Sequence, residues 1–391
     1  MRSARNLTYF FATFLLLASG PVPAQEAQAA EVTARLEALV PEAGAEEPVT
    51  VRFTLTNVTG RPITFLKWFT PLEGFDSDMF VVERDGRAVL YIGREVKRSA
   101  PGPEDYVTIE PGGSVSVELD LSEGYALSEP GQYRAQYRAQ YRSRELTTNS
   151  VSFVLTEERP APPLPQVGPV PRVTPEDVRE GMTAAVPAFK NCSPDRITQL
   201  EEAHAKAGQI AGLAYLAIAN TKEENRPDAP RYKEWFGAHT TARYAKVEDN
   251  FSKIFGALSK ETITYDCDCD PEHKPDYAYV FPSKPFDIHL CNAFWRAPLE
   301  GTDSRSGTIV HETSHFNVVA GTDDHEYSQP ACRTLAKNNP TVATDNADSH
   351  EYFTENNPEL AMGLEHVALA LLTIGLTLSA DRLRRRCRAR G

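Results

Sequence analysis

The sequence predicts a multidomain chain in which an all-β domain precedes an α+β domain. Three observations favour this fold class. The chain has 391 residues, 41% of them hydrophobic, which is ordinary for soluble globular protein and long enough for two domains. Apolar residues alternate with period two up to about residue 156, and beyond about residue 193 they recur at helical steps. A proline-rich stretch separates the two patterns.

Residues 1–30 have the features of an export signal. Arg2 and Arg5 precede an apolar run over residues 9–18, and small residues within 24–29 offer a cleavage site. We therefore expect a secreted or cell-envelope protein, in which disulfides between some of its six cysteines would persist. The net charge of −13 argues against nucleic acid as a partner.

Residues 31–156 are predicted to form an Ig-like β-sandwich. Residues 49–56 alternate apolar and polar side chains, as a half-buried strand does, and Asp85-Gly86 is a hairpin signal between apolar pairs. Tyrosine recurs every four residues over 132–142, which would suit a helix, but the strict alternation there favours a strand. Short strands separated by turns are typical of a sandwich. We interpret this domain as a propeptide or an accessory module.

Residues 157–184 are predicted to be a linker, extended where prolines are dense and accessible to proteases. A spacer and a site of propeptide removal both suit this position. The second domain, residues 185–360, opens with a long amphipathic helix, for which Ser193 is the cap and Pro194 the first residue. A second helical stretch is predicted around residues 232–258.

Two short extended runs, residues 277–281 and 287–291, precede the most informative part of the chain. A sheet built from them could offer an edge to which a substrate peptide adds as an extra strand. His204, beside the apolar stripe of the long helix, and His289, on the second run, are interpreted as structural rather than as ligands.

His311-Glu312-Thr-Ser-His315 is the stretch around which the second domain is interpreted. If it is helical, the two histidines are four residues apart on one face and can reach one metal ion. A hydrolytic zinc site needs three protein ligands, an open position for water and a carboxylate that takes the water's proton. His311 and His315 supply two ligands and Glu312 the base.

The third ligand has to come from the acidic turn that follows Gly321, a residue that permits a sharp change of direction. Spacing alone does not choose among its four candidates, which are Asp323, Asp324, His325 and Glu326.

The arrangement of HExxH followed by GTxDxxY resembles the aspzincin (deuterolysin-like) zinc metallopeptidases, and the chain is most similar to their peptidyl-Lys metalloendopeptidase branch. The resemblance covers about residues 189–358, less than half of the chain. Other matching segments occur in the family's order: Asn191-Cys192-Ser193, Arg231-Tyr232 with Trp235-Phe236-Gly237, Cys267-Asp268-Cys269, Cys291 to Trp295, and Asn346 to Phe353 with Glu355 to Pro358.

This resemblance implies a zincin-type metallopeptidase domain with one zinc ion and selects Asp324 as the third ligand. It also gives Tyr327 the role of donating to the developing oxyanion, and it makes Asp348 and Glu351 the acidic pocket for a substrate lysine. The pattern departs from the family at Ser328, where glycine is usual.

The resemblance further implies two disulfides, Cys192 with Cys267 and Cys269 with Cys291, which leaves Cys332 unpaired.

Residues 361–391 combine an apolar run, Val367 to Ala380, with an arginine-rich end. The run is short for a membrane span, so we interpret the tail as an anchor or sorting signal, against a helix packed on the enzyme.

Taken together, the residues and the resemblance predict an exported zinc endopeptidase that cuts proteins or peptides on the amino side of lysine. A monomer is expected. The alternative is an exported β-sandwich binding or adhesion protein with a structural or inactive zinc site. A zinc hydrolase acting on amidated sugars or lipids is less favoured, because it has no use for the acidic pair.

Overall fold

The computed structural model describes residues 31–141 and 144–362. The predicted export signal and all but the first two residues of the predicted tail lie outside the described residues. Within the described part, none of the helices combines the length and hydrophobicity that crossing a membrane requires.

The first half of the described chain is built from short strands. Their bounds are β1 Val32–Ala38, β2 Glu42–Ala43, β3 Thr50–Asn57, β4 Ile63–Leu66, β5 Phe80–Arg84, β6 Arg87–Ala88, β7 Glu95–Lys97, β8 Tyr106–Ile109, β9 Ser114–Asp120, β10 Gly131–Tyr141, β11 Arg144–Thr147 and β12 Val151–Leu155, with one helical turn, α1, at Leu121–Gly124. They form a sheet of order β1-β3-β9, a sheet of order β2-β12-β10-β5-β6 to which β11 adds beside β10, and the pair β4-β8. The strand β7 belongs to none of these sheets.

The period-two pattern explains this architecture. The inward residues of the two larger sheets share one hydrophobic core, in which the rings of Phe53 and Tyr137 lie 4.7 Å apart. The tyrosine-rich run is a strand, β10, as predicted, and the predicted hairpin is β5-β6, with Asp85 at φ 49° and Gly86 at φ 75°. The all-β character is therefore confirmed, whereas the likeness to an Ig sandwich stays a prediction.

The second half of the described chain contains both helices and strands. Its elements are α2 Pro175–Arg179, β13 Ala188–Lys190, α3 Pro194–Ala219, α4 Pro230–Phe236, α5 Thr241–Lys260, β14 Thr264–Asp266, β15 Ala278–Val280, β16 Asp287–Leu290, α6 Asn292–Arg296, α7 Arg305–His315, α8 Gln329–Asn338, α9 Pro340–Ala343 and α10 Ala347–Glu355. The sheet has the order β13-β14-β16-β15-β7. Most of its buried side chains share one hydrophobic core with helices α3, α5, α7 and α10, whereas Val96 of β7 and Tyr279 of β15 belong to a separate small cluster.

Local chemistry explains where the helices begin and end. The hydroxyl of Ser193 accepts a hydrogen bond from the backbone N–H of Arg196, so it caps α3 as predicted. The helical stretch expected over 232–258 is divided into α4 and α5. Gly237 ends α4 with a φ of 75°, a conformation that glycine adopts without strain.

The predicted linker is extended only in part. Its second half contains α2 and packs on the second domain, where Val170 and Val173 are buried and the hydroxyl of Tyr215 donates to the carbonyl oxygen of Val173 at 2.9 Å. Residues 170–184 therefore do not form a spacer that holds the two halves apart.

Both disulfides implied by the family resemblance are present, Cys192–Cys267 and Cys269–Cys291, and Cys332 is free and buried. Each closes a loop of the unfolded chain, which typically stabilises the fold by about 2–4 kcal/mol. They tie the start of α3 to β14 and the loop after β14 to the end of β16.

Candidate metal centre and lysine pocket

Helix α7 carries the two histidines of the HExxH motif. The hydroxyl of Ser304 accepts a hydrogen bond from the backbone N–H of Gly307 at 2.9 Å, which caps the helix, and α7 continues to His315. His311 and His315 are thus one turn apart, with ring centroids separated by 4.8 Å. The two imidazoles converge on the same small volume, as the spacing predicts.

The acidic turn brings a carboxylate back to these histidines. Gly321 has a φ of 57° at the start of the turn. The side-chain oxygen of Asn346 accepts hydrogen bonds from the backbone N–H groups of His325 and Glu326, both at 2.9 Å, so the loop after Asp324 is held by a residue at the start of α10. Asn346 is a positioning residue to which the sequence analysis gives no role.

Of the four candidates for the third ligand, Asp324 is the one that joins the histidines in the described structure. Its two oxygens lie 3.3 Å from Nε2 of His311 and 3.6 Å from Nε2 of His315, and all three side chains are buried. Asp323 and His325 instead face Asp345 in a more open group. Glu326 is not among the groups of converging side chains found in the described part of the chain.

The triad fits a zinc ion for three reasons. Nε2 of both histidines and both oxygens of Asp324 are buried and have no hydrogen-bond partner among the described residues, an arrangement that a shared cation would satisfy. Nδ1 of His315 donates a hydrogen bond to the carbonyl oxygen of Thr322 at 2.6 Å, which leaves Nε2 available for a metal. Two imidazoles and one carboxylate are ligands that catalytic zinc accepts.

Glu312 lies beside the triad and is fully buried. Neither of its carboxylate oxygens has a hydrogen-bond partner within the described ranges. Burial disfavours the charged form and raises the pKa of Glu312 to about 8. A carboxylate that is not engaged elsewhere and binds a proton readily is suited to accept one from a water and to release it again.

Helix α10 packs on α7 and adds two more carboxylates. The two helices can approach each other closely because Gly307 of α7 has no side chain. A Cβ at this position would collide with the side chains of Glu355 and Glu351 on α10. Asp348 Oδ1 lies 2.9 Å and Glu351 Oε2 3.3 Å from Nδ1 of His311. The acidic pair is therefore contiguous with the metal triad.

The acidic pair holds a lysine from the N-terminal half of the chain. Nζ of Lys97, the last residue of β7, lies 2.6 Å from Glu351 Oε2, 3.2 Å from Asp348 Oδ1 and 3.8 Å from Asp303 Oδ1. Burial alone would lower the pKa of Lys97, but the carboxylates outweigh burial and raise it well above its usual value. Lys97 is 2% exposed, so its charge is neutralised within the protein rather than by water.

Tyr327 faces the same strand. Its hydroxyl donates to the carbonyl oxygen of Val96 at 3.0 Å, and its ring packs edge-on against Trp68 of the N-terminal half, with centroids 5.5 Å apart. The hydroxyl is therefore engaged with a peptide carbonyl, the kind of group that its predicted role requires.

Ser328 has a backbone conformation that suits glycine, with φ 71° and ψ 150°. In this conformation its N–H donates to Asp348 Oδ2 at 2.9 Å. The strain of a side chain there costs roughly 1–3 kcal/mol. The family's usual glycine at this position therefore has a physical reason.

We expect the Ser328→Gly substitution to stabilise the protein. Relief of strain exceeds the extra chain entropy that glycine loses on folding by about 1 kcal/mol, which corresponds to a rise in Tm of about 2–4 °C. Thermal unfolding measures the change in Tm, in a Glu312→Gln background chosen so that self-digestion does not affect the result. Ser152→Gly, at an exposed position of β12, is the matched control and should lower Tm. A Tm for Ser328→Gly at or below the parent's would contradict the strain.

Comparisons with known proteins identify the family of the chain. Residues 221–355 match the family model described as lysine-specific metallo-endopeptidase (aspzincin). An extracellular protease of Aeromonas hydrophila is 38% identical over 325 residues, covering 81% of this chain and 90% of that protein. A peptidyl-Lys metalloendopeptidase of Pleurotus ostreatus is 46% identical over 173 residues, covering 44% of this chain and 99% of that protein.

Among solved structures, a zinc peptidase from Grifola frondosa is 35% identical, with a TM-score of 0.41, over 44% of this chain and 100% of that one. The relatives that this chain spans almost completely are peptidases, and the prediction of an enzyme is confirmed. The chain therefore belongs to the aspzincin family of zinc metalloendopeptidases.

Proposed function

We propose that this protein is an exported endopeptidase that hydrolyses peptide bonds on the amino side of lysine. The observation that carries the proposal is the pocket of Asp348 and Glu351, which accepts a lysine ammonium 2.6 Å from Glu351 and lies against His311 of the metal triad. Relatives named peptidyl-Lys metalloendopeptidase support the same specificity.

The proposed ligands of one zinc ion are His311, His315 and Asp324. Zinc bound there would polarise a peptide carbonyl and lower the pKa of a water molecule. Glu312 takes a proton from that water and later delivers it to the nitrogen of the leaving amine. Tyr327 donates a hydrogen bond to the carbonyl oxygen as negative charge develops on it, an interaction whose loss typically costs about a hundredfold or more in rate.

Specificity for lysine follows from the cost of burying a charge. An ammonium loses its hydration on entering a closed pocket, so a pocket that offers no opposite charge rejects it. Asp348 and Glu351 replace the lost water with two carboxylates, and a neutral side chain would not balance their buried negative charge. The pocket therefore favours a lysine side chain and disfavours a neutral one.

The proposed substrates are proteins and peptides that contain lysine. Export is supported by the name of the Aeromonas hydrophila relative, an extracellular protease, and by the two disulfides of the second domain. Residues 31–156 are proposed to be a propeptide or accessory module and residues 185–360 the peptidase, acting as a monomer.

Digestion of a mixed peptide pool tests the proposal. The zinc-loaded protein is assayed as the full chain and again after limited proteolysis between residues 157 and 184, and the new amino termini are sequenced by mass spectrometry. We expect lysine to be strongly enriched as the first residue of the products. Pools digested by the Glu312→Gln protein serve as the blank. Products without lysine enrichment at that position would refute the specificity.

A further inference from the structure

The edge of the peptidase sheet is occupied by the chain itself. The strand β7 pairs antiparallel with β15, with Lys97 opposite Ala278, Val96 opposite Tyr279 and Glu95 opposite Val280. The carbonyl oxygen of Lys97 accepts a hydrogen bond from the N–H of Tyr277 at 3.0 Å. An extended segment that adds to a free sheet edge is a common way for a peptide to bind.

Both groups proposed to recognise a substrate are engaged by this strand. The ammonium of Lys97 lies in the pocket of Asp348 and Glu351, and Tyr327 donates to the carbonyl oxygen of Val96. That carbonyl belongs to the peptide bond on the amino side of Lys97. The bond between Val96 and Lys97 thus has the register that the proposed function requires of a bond to be cut.

The N-terminal half fixes the strand at both ends. At its first residue, the side chain of Glu95 accepts a hydrogen bond through Oε1 from the backbone N–H of Asp78 at 2.8 Å. After it, the guanidinium of Arg98 lies 2.9 Å from Asp76 and 3.5 Å from Asp276, a residue of the peptidase half. Val96 is fully buried against Tyr279. Because these contacts hold the strand in one register, another peptide can enter the cleft only after the strand leaves it.

We propose that β7 is the enzyme's first substrate, and that the Val96–Lys97 bond is a site of self-cleavage which closes the lysine pocket to other peptides until it is cut. This inference rests on the proposed function. The oxygen of a water adds to the carbonyl carbon of Val96, the bond from that carbon to the nitrogen of Lys97 breaks, and Glu312 transfers the water's proton to that nitrogen. The products are a carboxylate on Val96 and a new amino terminus at Lys97.

The nicked protein should remain in one piece under native conditions. Strands on opposite sides of the cut pair with each other, β3 with β9 and β5 with β10. Denaturation would separate the two fragments. A single native mass that resolves into two chains on denaturation is therefore the signature of this cut.

The test starts from the full chain purified with a chelator and then supplied with zinc. We expect a fragment that begins at Lys97, found by amino-terminal sequencing, and none from the Glu312→Gln protein. The fraction cut per unit time should stay unchanged on tenfold dilution, because a cut within one molecule does not depend on concentration. A chain that stays whole at this bond, or a cutting rate that falls in proportion to dilution, would overturn the inference.

Binding to the inactive protein gives a readout independent of turnover. A labelled peptide with lysine at its amino terminus should bind the Glu312→Gln protein with an apparent Kd at least about tenfold weaker than it binds the Glu312→Gln, Lys97→Ala double variant, because the first must displace Lys97. Lys67→Ala, which removes another lysine of the same half, is the matched control and should change neither binding nor cutting. Equal binding by the single and double variants would also overturn the inference.

Removing Lys97 takes away the cation that balances two buried carboxylates and can prevent folding. The sequencing and dilution measurements keep Lys97 and are sufficient to test the inference by themselves. Failure of the inference is also distinguishable from failure of the proposed function. A protein that cuts added peptides before lysine yet never cuts Val96–Lys97 refutes only the inference. One that cuts neither its own chain nor any added peptide refutes both.

Discussion

Replacing Glu312 by glutamine is expected to lower kcat by about a hundredfold to ten-thousandfold while zinc stays bound. Glutamine has nearly the shape of glutamate but cannot accept the proton of a water. The substitution leaves His311, His315 and Asp324 unchanged, and these are the residues that we assign to the metal. It also removes a buried carboxyl whose pKa is raised to about 8, so the fold should tolerate it.

The measurement pairs peptide hydrolysis with zinc content, after limited proteolysis in the 157–184 linker. Glu202→Gln, an exposed position on α3, is the matched control and should behave as the parent. A variant that keeps both zinc and activity would remove Glu312 from the mechanism. A parent protein that never hydrolyses a peptide would instead favour the alternative of a binding protein with an inactive zinc site.

Neutralising a carboxylate of the acidic pair is expected to have the second largest effect on peptide hydrolysis. Glu351 is the carboxylate nearest to Nζ of Lys97, and hydrogen bonds to charged groups contribute about 1.5–3 kcal/mol. Glu351→Gln should therefore reduce kcat/KM for lysine peptides by roughly tenfold to a hundredfold. Hydrolysis of peptides with acetyl-lysine at the same position should change much less, because they bring no charge to the pocket.

Asp348→Asn should differ from Glu351→Gln in one respect. Asp348 lies 2.9 Å from Nδ1 of His311, so it is placed to orient a residue that we assign to the metal. Loss of such a partner typically weakens metal binding about 10–100-fold, and we expect zinc affinity to fall with lysine specificity. Kinetics with lysine and acetyl-lysine peptides, combined with zinc titration, separates the two effects. Unchanged selectivity in both variants would show that the pocket lies elsewhere.

The sequence predicts the local part of the site well. His311, Glu312 and His315 lie within one turn of one helix, so helical periodicity alone brings them together. The acidic pair that we propose as the lysine pocket is nearly as local, since Asp348 and Glu351 are three residues apart on α10. The tyrosine-rich strand β10 is predicted for the same reason, because its alternation is visible within eleven residues.

The features that the sequence does not predict depend on contacts between residues far apart in the chain. Spacing cannot choose Asp324 over its neighbours, because the turn is held by Asn346, 21 positions after His325. Lys97 is 251 positions from Asp348, and its strand has three residues, too few for a periodic pattern. The division of the second helical stretch depends on one glycine, Gly237, whose Cβ would meet the backbone of Ala336.

Anomalous diffraction at the zinc absorption edge, on crystals of the zinc-loaded Glu312→Gln protein, tests the central claim most directly. The account predicts a strong peak at bonding distance, about 2.0–2.2 Å, from Nε2 of His311, Nε2 of His315 and a carboxylate oxygen of Asp324. A strong peak between Asp323, His325 and Asp345 with none at the triad, or no zinc peak at all, would contradict it.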